Sequence, residues 1–349
     1  HQPGFDAAGW AEISFEQVYL ETMRTAFLEP GGYSSAISVH LDPGMRSDAA
    51  LRVILRALLQ MVRANAPYIT ADIDLEFVHD YRVALRRMRA ALGEMRQVFT
   101  AEETTRVRRD LAAIARSTNE LRDLDVYLHA KDEYIARLPR DLRKDIAPLF
   151  ELLSAKRSAA LEDLKSFAYS SVPDQILGGL DTFLSASSEG VDAGPEGHRP
   201  IGELAREIIH RRNKRLIKHG RRIHRDSPDA LLHQLRIDGK RLRYLMEFFS
   251  TLFDARLLRR LLKRLKRLQD ILGEFNDGAV QQAYLWARAE ELSASRPEAR
   301  RTLLAVGSLI SHLDAQQQRA RSAFERAFAE YSGPENQRSF RELLNSTEK

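Results

Sequence analysis

The sequence predicts an all-α protein of two four-helix bundles related by an internal pseudo-twofold axis, the product of a tandem duplication. Three observations lead there. Apolar residues recur at helical spacing through most of the chain, the period-two alternation of strands is absent, and one pattern of histidine and cations occurs twice. The first copy reads Val78-His79-Asp80-Tyr81-Arg82-Val83-Ala84-Leu85-Arg86-Arg87-Met88-Arg89. The second reads Leu232-His233-Gln234-Leu235-Arg236-Ile237-Asp238-Gly239-Lys240-Arg241-Leu242-Arg243. Each keeps a His with cations three, seven, eight and ten residues further on. A second motif, Asn119-Glu120-Leu121-Arg122-Asp123, returns as Gly273-Glu274-Phe275-Asn276-Asp277, at the same 154-residue offset that separates His79 from His233. Two separate motifs at one offset mark a long two-copy duplication rather than a solenoid of short repeats.

The elements follow in order. Residues 47–66 carry Leu51, Ile54, Leu55, Leu58, Leu59 and Val62 at helical spacing, with Ser47 or Asp48 as N-cap. The His helix spans 75–99, with Val78, Tyr81, Leu85, Met88, Leu92 and Phe99 on its apolar side. Helices over 102–130 and 142–168 complete the first half. The second half repeats the order with 201–223, 228–253, 256–289 and 297–331, and Leu232, Leu235, Leu242, Met246 and Phe253 form the apolar side of its His helix. Domain boundaries follow as an extension over 1–46, bundles at 47–184 and 201–335, a linker at 185–200 rich in small residues and breakers, and a tail at 336–349.

At 349 residues, 44% apolar and 30% charged, the chain suits a folded, soluble, cytoplasmic protein. It has no cysteine, so disulfides, zinc-thiolate sites and cysteine nucleophiles are excluded. No apolar run approaches the roughly 20 residues of a membrane span, and no secretory signal is visible. The net charge of +5 says little, because 54 cations nearly match 49 carboxylates; their arrangement is what matters.

A helix turns about 100° per residue, so offsets of 0, 3, 7 and 10 share a face. His79, Arg82, Arg86 and Arg89 form one stripe, and His233, Arg236, Lys240 and Arg243 another, with Arg87 and Arg241 at their edges. A single cationic stripe is ordinarily a solvated or salt-bridged helix face; two in register point to a polyanion receptor. Arginine offers phosphate a planar fork and lysine a point charge. Further candidates are Lys263 and Lys266, Arg109 (the counterpart of Lys263), Arg52, Arg56 and Arg63 on the first helix, and Arg206 and Lys214 on its equivalent. Asp123 and Asp277 are expected to brace neighbouring arginines. The two histidines have two open readings, a buried hydrogen-bonding role or direct phosphate contact. No metal site or cofactor is expected, because neither His helix offers a second His or a carboxylate at i+3 or i+4. Asp80 is expected to point away from the stripe.

These paired helices, with Leu121-Arg122-Asp123-Leu124-Asp125 and Leu268-Gln269-Asp270-Ile271-Leu272-Gly273-Glu274-Phe275-Asn276-Asp277 downstream, resemble the CHAD (conserved histidine α-helical) domain over about residues 40–335. The resemblance implies two four-helix bundles around a basic central cavity that binds inorganic polyphosphate, in proteins that associate with polyphosphate granules or with a CYTH domain. The CYTH ExExK signature is absent, and residues 33–45 resemble the connector that follows a CYTH domain in fused proteins. The expectation is thus a non-enzymatic polyphosphate-binding module, with nucleic acid only a weak polyanion competitor. Against a nucleic-acid binder, the stripes lack stacking aromatics, Tyr244 alone lying near one. A metal-dependent phosphate enzyme needs acidic clusters, and Asp123, Leu124, Asp125 is the only suggestive one; Ala279 replaces Asp125 in the second copy. A scaffold for an acidic protein partner remains an alternative.

Overall fold

The computed structural model describes residues 39–185, 193–295 and 300–345. Among them are twelve α-helices and two single 3₁₀ turns, and no strand. The helices are α1 (Ser47–Thr70), α2 (Leu75–Glu94), α3 (Ala101–Ser117), α4 (Asn119–His129), α5 (Lys131–Arg137), α6 (Ala147–Ala168) and α7 (Ser171–Ser185). There follow α8 (Ile201–Gly220), α9 (Asp229–Phe248), α10 (Ala255–Ser295), α11 (Arg300–Ser332) and α12 (Pro334–Asn345). The all-α expectation holds. The two apolar faces assigned to the His helices are buried at every named position, from Val78 to Phe99 and from Leu232 to Phe253. Removing those side chains from water drives α2 against α1, α3 and α4, and α9 against α8 and α10.

Several boundaries differ from expectation. The His helix of the first half stops at Glu94 rather than 99, because Val98 and Phe99 leave the helix to enter the core. There the backbone accepts from the segment between the halves: Gly194 N donates to Val98 O at 2.9 Å and Glu196 N to Gln97 O at 3.0 Å. A Cβ on Gly194 would collide with the Gln97 and Phe99 carbonyls, so this approach requires glycine. Residues 193–200 are therefore packed structure rather than a free linker; 186–192 lie outside the described residues. The end of the expected N-terminal extension is also built in. Leu41 is buried, and Thr251 Oγ1 accepts from Leu41 N at 3.2 Å and donates to Val39 O at 3.1 Å. The expected connector at 33–45 is described only from residue 39.

Helices α5, α7 and α12 were not foreseen. The expected tail holds α12, whose Asn336, Phe340 and Leu343 are buried, while Arg264 of α10 grips Glu335. The predicted 102–130 helix breaks at Thr118, whose hydroxyl bonds Ala115 O at 3.0 Å instead of letting the backbone ladder continue. Helix α1 continues past 66 with Pro67 on its exposed side. No described helix is long and apolar enough to cross a membrane.

Candidate anion-binding site

Helix α2 begins where Asp74 accepts from Glu76 N at 2.7 Å, satisfying a free N–H of the first turn. With its apolar side fixed in the core, the stripe faces outward: Arg86 and Arg89 are exposed, His79 and Arg82 half-buried. On α9, His233 is exposed and Arg236, Lys240 and Arg243 are half-buried.

Each histidine is held from a helix 43 residues further on. Arg122 Nη2 of α4 lies 3.1 Å from His79 Nδ1, and Asn276 Oδ1 of α10 lies 2.5 Å from His233 Nδ1. The cation one turn on is also held. Arg82 Nη1 donates to Ala115 O (3.2 Å), Thr118 Oγ1 (2.9 Å) and Asn119 Oδ1 (2.6 Å), groups the helix break leaves accessible. Arg236 pairs with Asp277 at 3.2 Å. Asp277 thus touches the arginine it was expected to brace. Asp123 lies near Arg82 and Arg122, but burial outweighs their attraction and pushes its carboxyl up from the usual range.

The two His helices pack against each other. Arg86 Nε donates to Tyr244 Oη at 3.0 Å, Arg87 pairs with Glu247 at 2.9 Å, and Arg243 pairs with the same Glu247 at 2.6 Å. On the far side of this crossing, Glu94 of α2 receives Arg212 of α8 and, at 3.7 Å, Arg241 of α9. Charges from both helices meet at Lys240. Burial, together with the positive charges of Arg236, Arg86 and Arg243, pulls its ammonium down to about 8, with Asp277 as the opposing influence. Burial and its cationic neighbours likewise hold Arg82 below its usual value. His79 is lowered first by burial and then by Arg122, against the pull of Glu76 and Asp80.

Several other candidate residues lie elsewhere or are already engaged. Arg87 is 5% exposed, with its guanidinium 5.6 Å from the Tyr244 ring, and so it ties α2 to α9. Arg52 is 4% exposed, between the rings of Phe99 (5.0 Å) and Phe183 (5.1 Å), and bonds the Phe183 carbonyl. Arg56 bonds Leu184 O and Arg63 pairs with Asp181, so the basic face of α1 serves to seat α7. Arg206 bonds Gly202 O at 3.1 Å on its own helix, and Lys214 is exposed. Arg109 pairs with its neighbour Asp110 at 3.2 Å and Lys266 with Asp270 at 2.8 Å, both in exposed positions; Lys263 is exposed too. Asp125 is buried against Arg157 at 2.6 Å, a structural engagement.

Neither i+3 nor i+4 from His79 holds a carboxylate, but one acidic group lies on its other side. Glu76 sits at i−3 from His79, and ligand atoms of Glu76, His79 and Asp80 all lie within 4.8 Å of one another. Asp80 is buried, off the outward-facing stripe, yet its carboxylate stays within that distance of the histidine. The second copy has Ala230 and Gln234 at the matching positions. Arg122, Asn276, Tyr244, Glu247 and Glu94 were not singled out as site residues. The 154-residue offset that relates the two histidines also relates Arg122 to Asn276.

The CHAD domain family matches residues 53–286. The chain belongs to the CHAD domain family. The crystal structure of the CHAD domain from the plant Ricinus communis superposes with a TM-score of 0.67 at 25% identity, covering 86% of this chain and 97% of that one. PptA from Streptomyces chartreusis shares the fold with a TM-score of 0.64 at 20% identity, over 81% of this chain and 99% of that one. No curated protein matches the sequence.

Proposed function

We propose that this CHAD protein binds inorganic polyphosphate without turning it over, along a basic groove where α2 meets α9. The observation that carries this reading is Lys240, an ammonium pulled down to about 8 by burial beside Arg236, Arg86 and Arg243. Cations crowded at that cost are stabilised by an anion, and a linear phosphate chain supplies one charge per unit along both stripes. The groove's walls are, in this proposal, two four-helix bundles related by a pseudo-twofold axis. The equal 43-residue spacing of the two histidine contacts supports that arrangement. The binding residues are His79, Arg82, Arg86, Arg89, His233, Arg236, Lys240 and Arg243, with Arg122 behind them. The protein acts in the cytoplasm, at polyphosphate granules or beside a CYTH domain.

A nucleic-acid reading is weakened by the state of Tyr244, the aromatic that the cations of α2 contact. It is buried, its hydroxyl bonded by Arg86 and its ring covered by Arg87, so it offers no face for a base. The test is titration with polyphosphates of increasing length, duplex DNA and heparin at physiological salt. Polyphosphate is expected to bind tightest, more tightly with length, and with a steep loss on added salt. Equal affinity for pyrophosphate and a long chain would indicate a compact pocket instead, and tighter DNA binding would favour the nucleic-acid reading.

A further inference from the structure

The two histidines occupy equivalent positions, yet their Nδ1 partners have opposite hydrogen-bonding character. The guanidinium of Arg122 can only donate, so His79 Nδ1 must accept. Asn276 presents its carbonyl oxygen to His233, and its amide nitrogen is turned to Asp277 Oδ1 at 3.3 Å, which fixes the orientation. His233 Nδ1 must therefore carry a hydrogen and donate. A neutral imidazole has one hydrogen for its two nitrogens, so each constraint dictates the state of the nitrogen left for a ligand.

We infer that Arg122 and Asn276 are positioning residues that set opposite tautomers of the two histidines, making neutral His79 an Nε2–H donor to phosphate oxygen and His233 a donor only once protonated. The inference rests on the reading that α2 and α9 bind a polyphosphate. In the neutral state His233 Nε2 carries a lone pair, which repels a phosphate oxygen. A proton on Nε2 turns that nitrogen into a charged donor and leaves the Asn276 contact intact. His79 behaves differently, because a second proton would have to sit on Nδ1 and face the Arg122 guanidinium.

The surroundings agree with this division. Around His79 stand Arg86, Glu76 and Asp80 of its own helix and Arg122 of α4, and the balance, led by burial, favours the neutral ring. On its own helix His233 is flanked by Arg236 one turn on, which pairs with Asp277 of α10, and by Asp229 one turn back, which Arg321 of α11 holds at 2.6 Å; its ring partner Asn276 also contacts Asp277. Among the described residues, no cation is hydrogen-bonded to its ring nitrogen as Arg122 is to His79.

The direct test is nitrogen-15 NMR of the imidazoles in the full chain without ligand, at pH 7.5. His79 should show the Nε2–H tautomer and His233 the Nδ1–H tautomer; the same tautomer at both positions overturns the inference. The second arm measures affinity for long-chain polyphosphate from pH 8 to 6 in His79→Ala and His233→Ala. The loss caused by His233→Ala should grow at least three-fold as the pH falls, and that caused by His79→Ala should stay level. A pH-independent loss at His233 also overturns the inference. Absence of polyphosphate binding in the wild type would sink the functional reading instead, and the tautomers would still decide this one.

Discussion

The His helices α2 and α9 share one sequence pattern, and they differ most where they leave the core. Both bury their apolar faces completely, although Leu85 of α2 is matched by Gly239 in α9. Gly239 admits the Gln269 side chain of α10, and a Cβ there would lie 3.5 Å from it, in ordinary contact. Along the stripes, Arg86 of α2 is exposed and Lys240 of α9 is half-buried among cations. At the position where α9 carries Glu247, a carboxylate holding Arg87 and Arg243, α2 has Gly93. The lesson is that the repeated sequence pattern keeps the positions of the cations but not their neutralisation. One stripe is closed by its own counter-charge at its C-terminal end and the other is not.

The comparison is tested most severely by joint reversal of its two central charges. Arg86→Glu with Lys240→Glu is expected to weaken long-chain polyphosphate roughly 100-fold or more, about 2.7 kcal/mol, with the helical circular dichroism unchanged. Reversing the surface pair Arg300 and Arg301 should cost polyphosphate affinity little, since Arg301 is exposed and holds surface partners, Asp145 at 2.9 Å and the Asp141 carbonyl at 2.9 Å. Equal losses from both doubles would mean that bulk charge, not the stripes, sets affinity.

Comparable in size, but read as stability rather than affinity, is loss of the closing carboxylate itself. Glu247→Leu removes the carboxylate that pairs with both the buried Arg87 and Arg243, and denaturant melts should show a loss of about 3 kcal/mol. An unchanged midpoint would mean that Glu247 does not hold the two helices together. Arg52→Met should cost about 2 kcal/mol through its lost carbonyl bond and ring contacts, with polyphosphate affinity unaffected. A large affinity loss would return Arg52 to the binding surface.

The smallest effect concerns Lys240 and pH. Its folded-state value of about 8 lies below the ordinary 10.5, so between those values the unfolded chain holds more protons. Stability of the wild type relative to Lys240→Met therefore rises through that window, because the charge penalty is full at pH 7 and fades toward pH 10.5. At pH 7 the Met variant should be more stable by about 1 kcal/mol, a figure discounted for the solvent that still reaches the group. It should also bind polyphosphate less well. Melts at pH 7 and pH 10 would show a gap that does not close if Lys240 is not the source.

The sequence by itself determined the all-α class, the repeated His motif and the inward faces of α2 and α9, because burial of apolar side chains at helical period is local and strong. It also placed the cations of both stripes on common faces. Helix ends were less legible: the break at Thr118, the exit at Glu94 and the packed segment 193–200 depend on hydrogen bonds to distant backbone. Which cations are free for a ligand was decided only by the tertiary structure. Arg52 and Arg89 look alike as residues, yet one lies between two phenylalanine rings and the other faces solvent. Nothing in the periodicity of α1 signals that α7 will pack on its basic face. Partners 43 residues away gave His79 a donor and His233 an acceptor, and the helix pattern is blind to that difference. A period records which side of a helix is buried; the charge and hydrogen-bond state of a side chain depend on atoms that arrive from elsewhere in the chain.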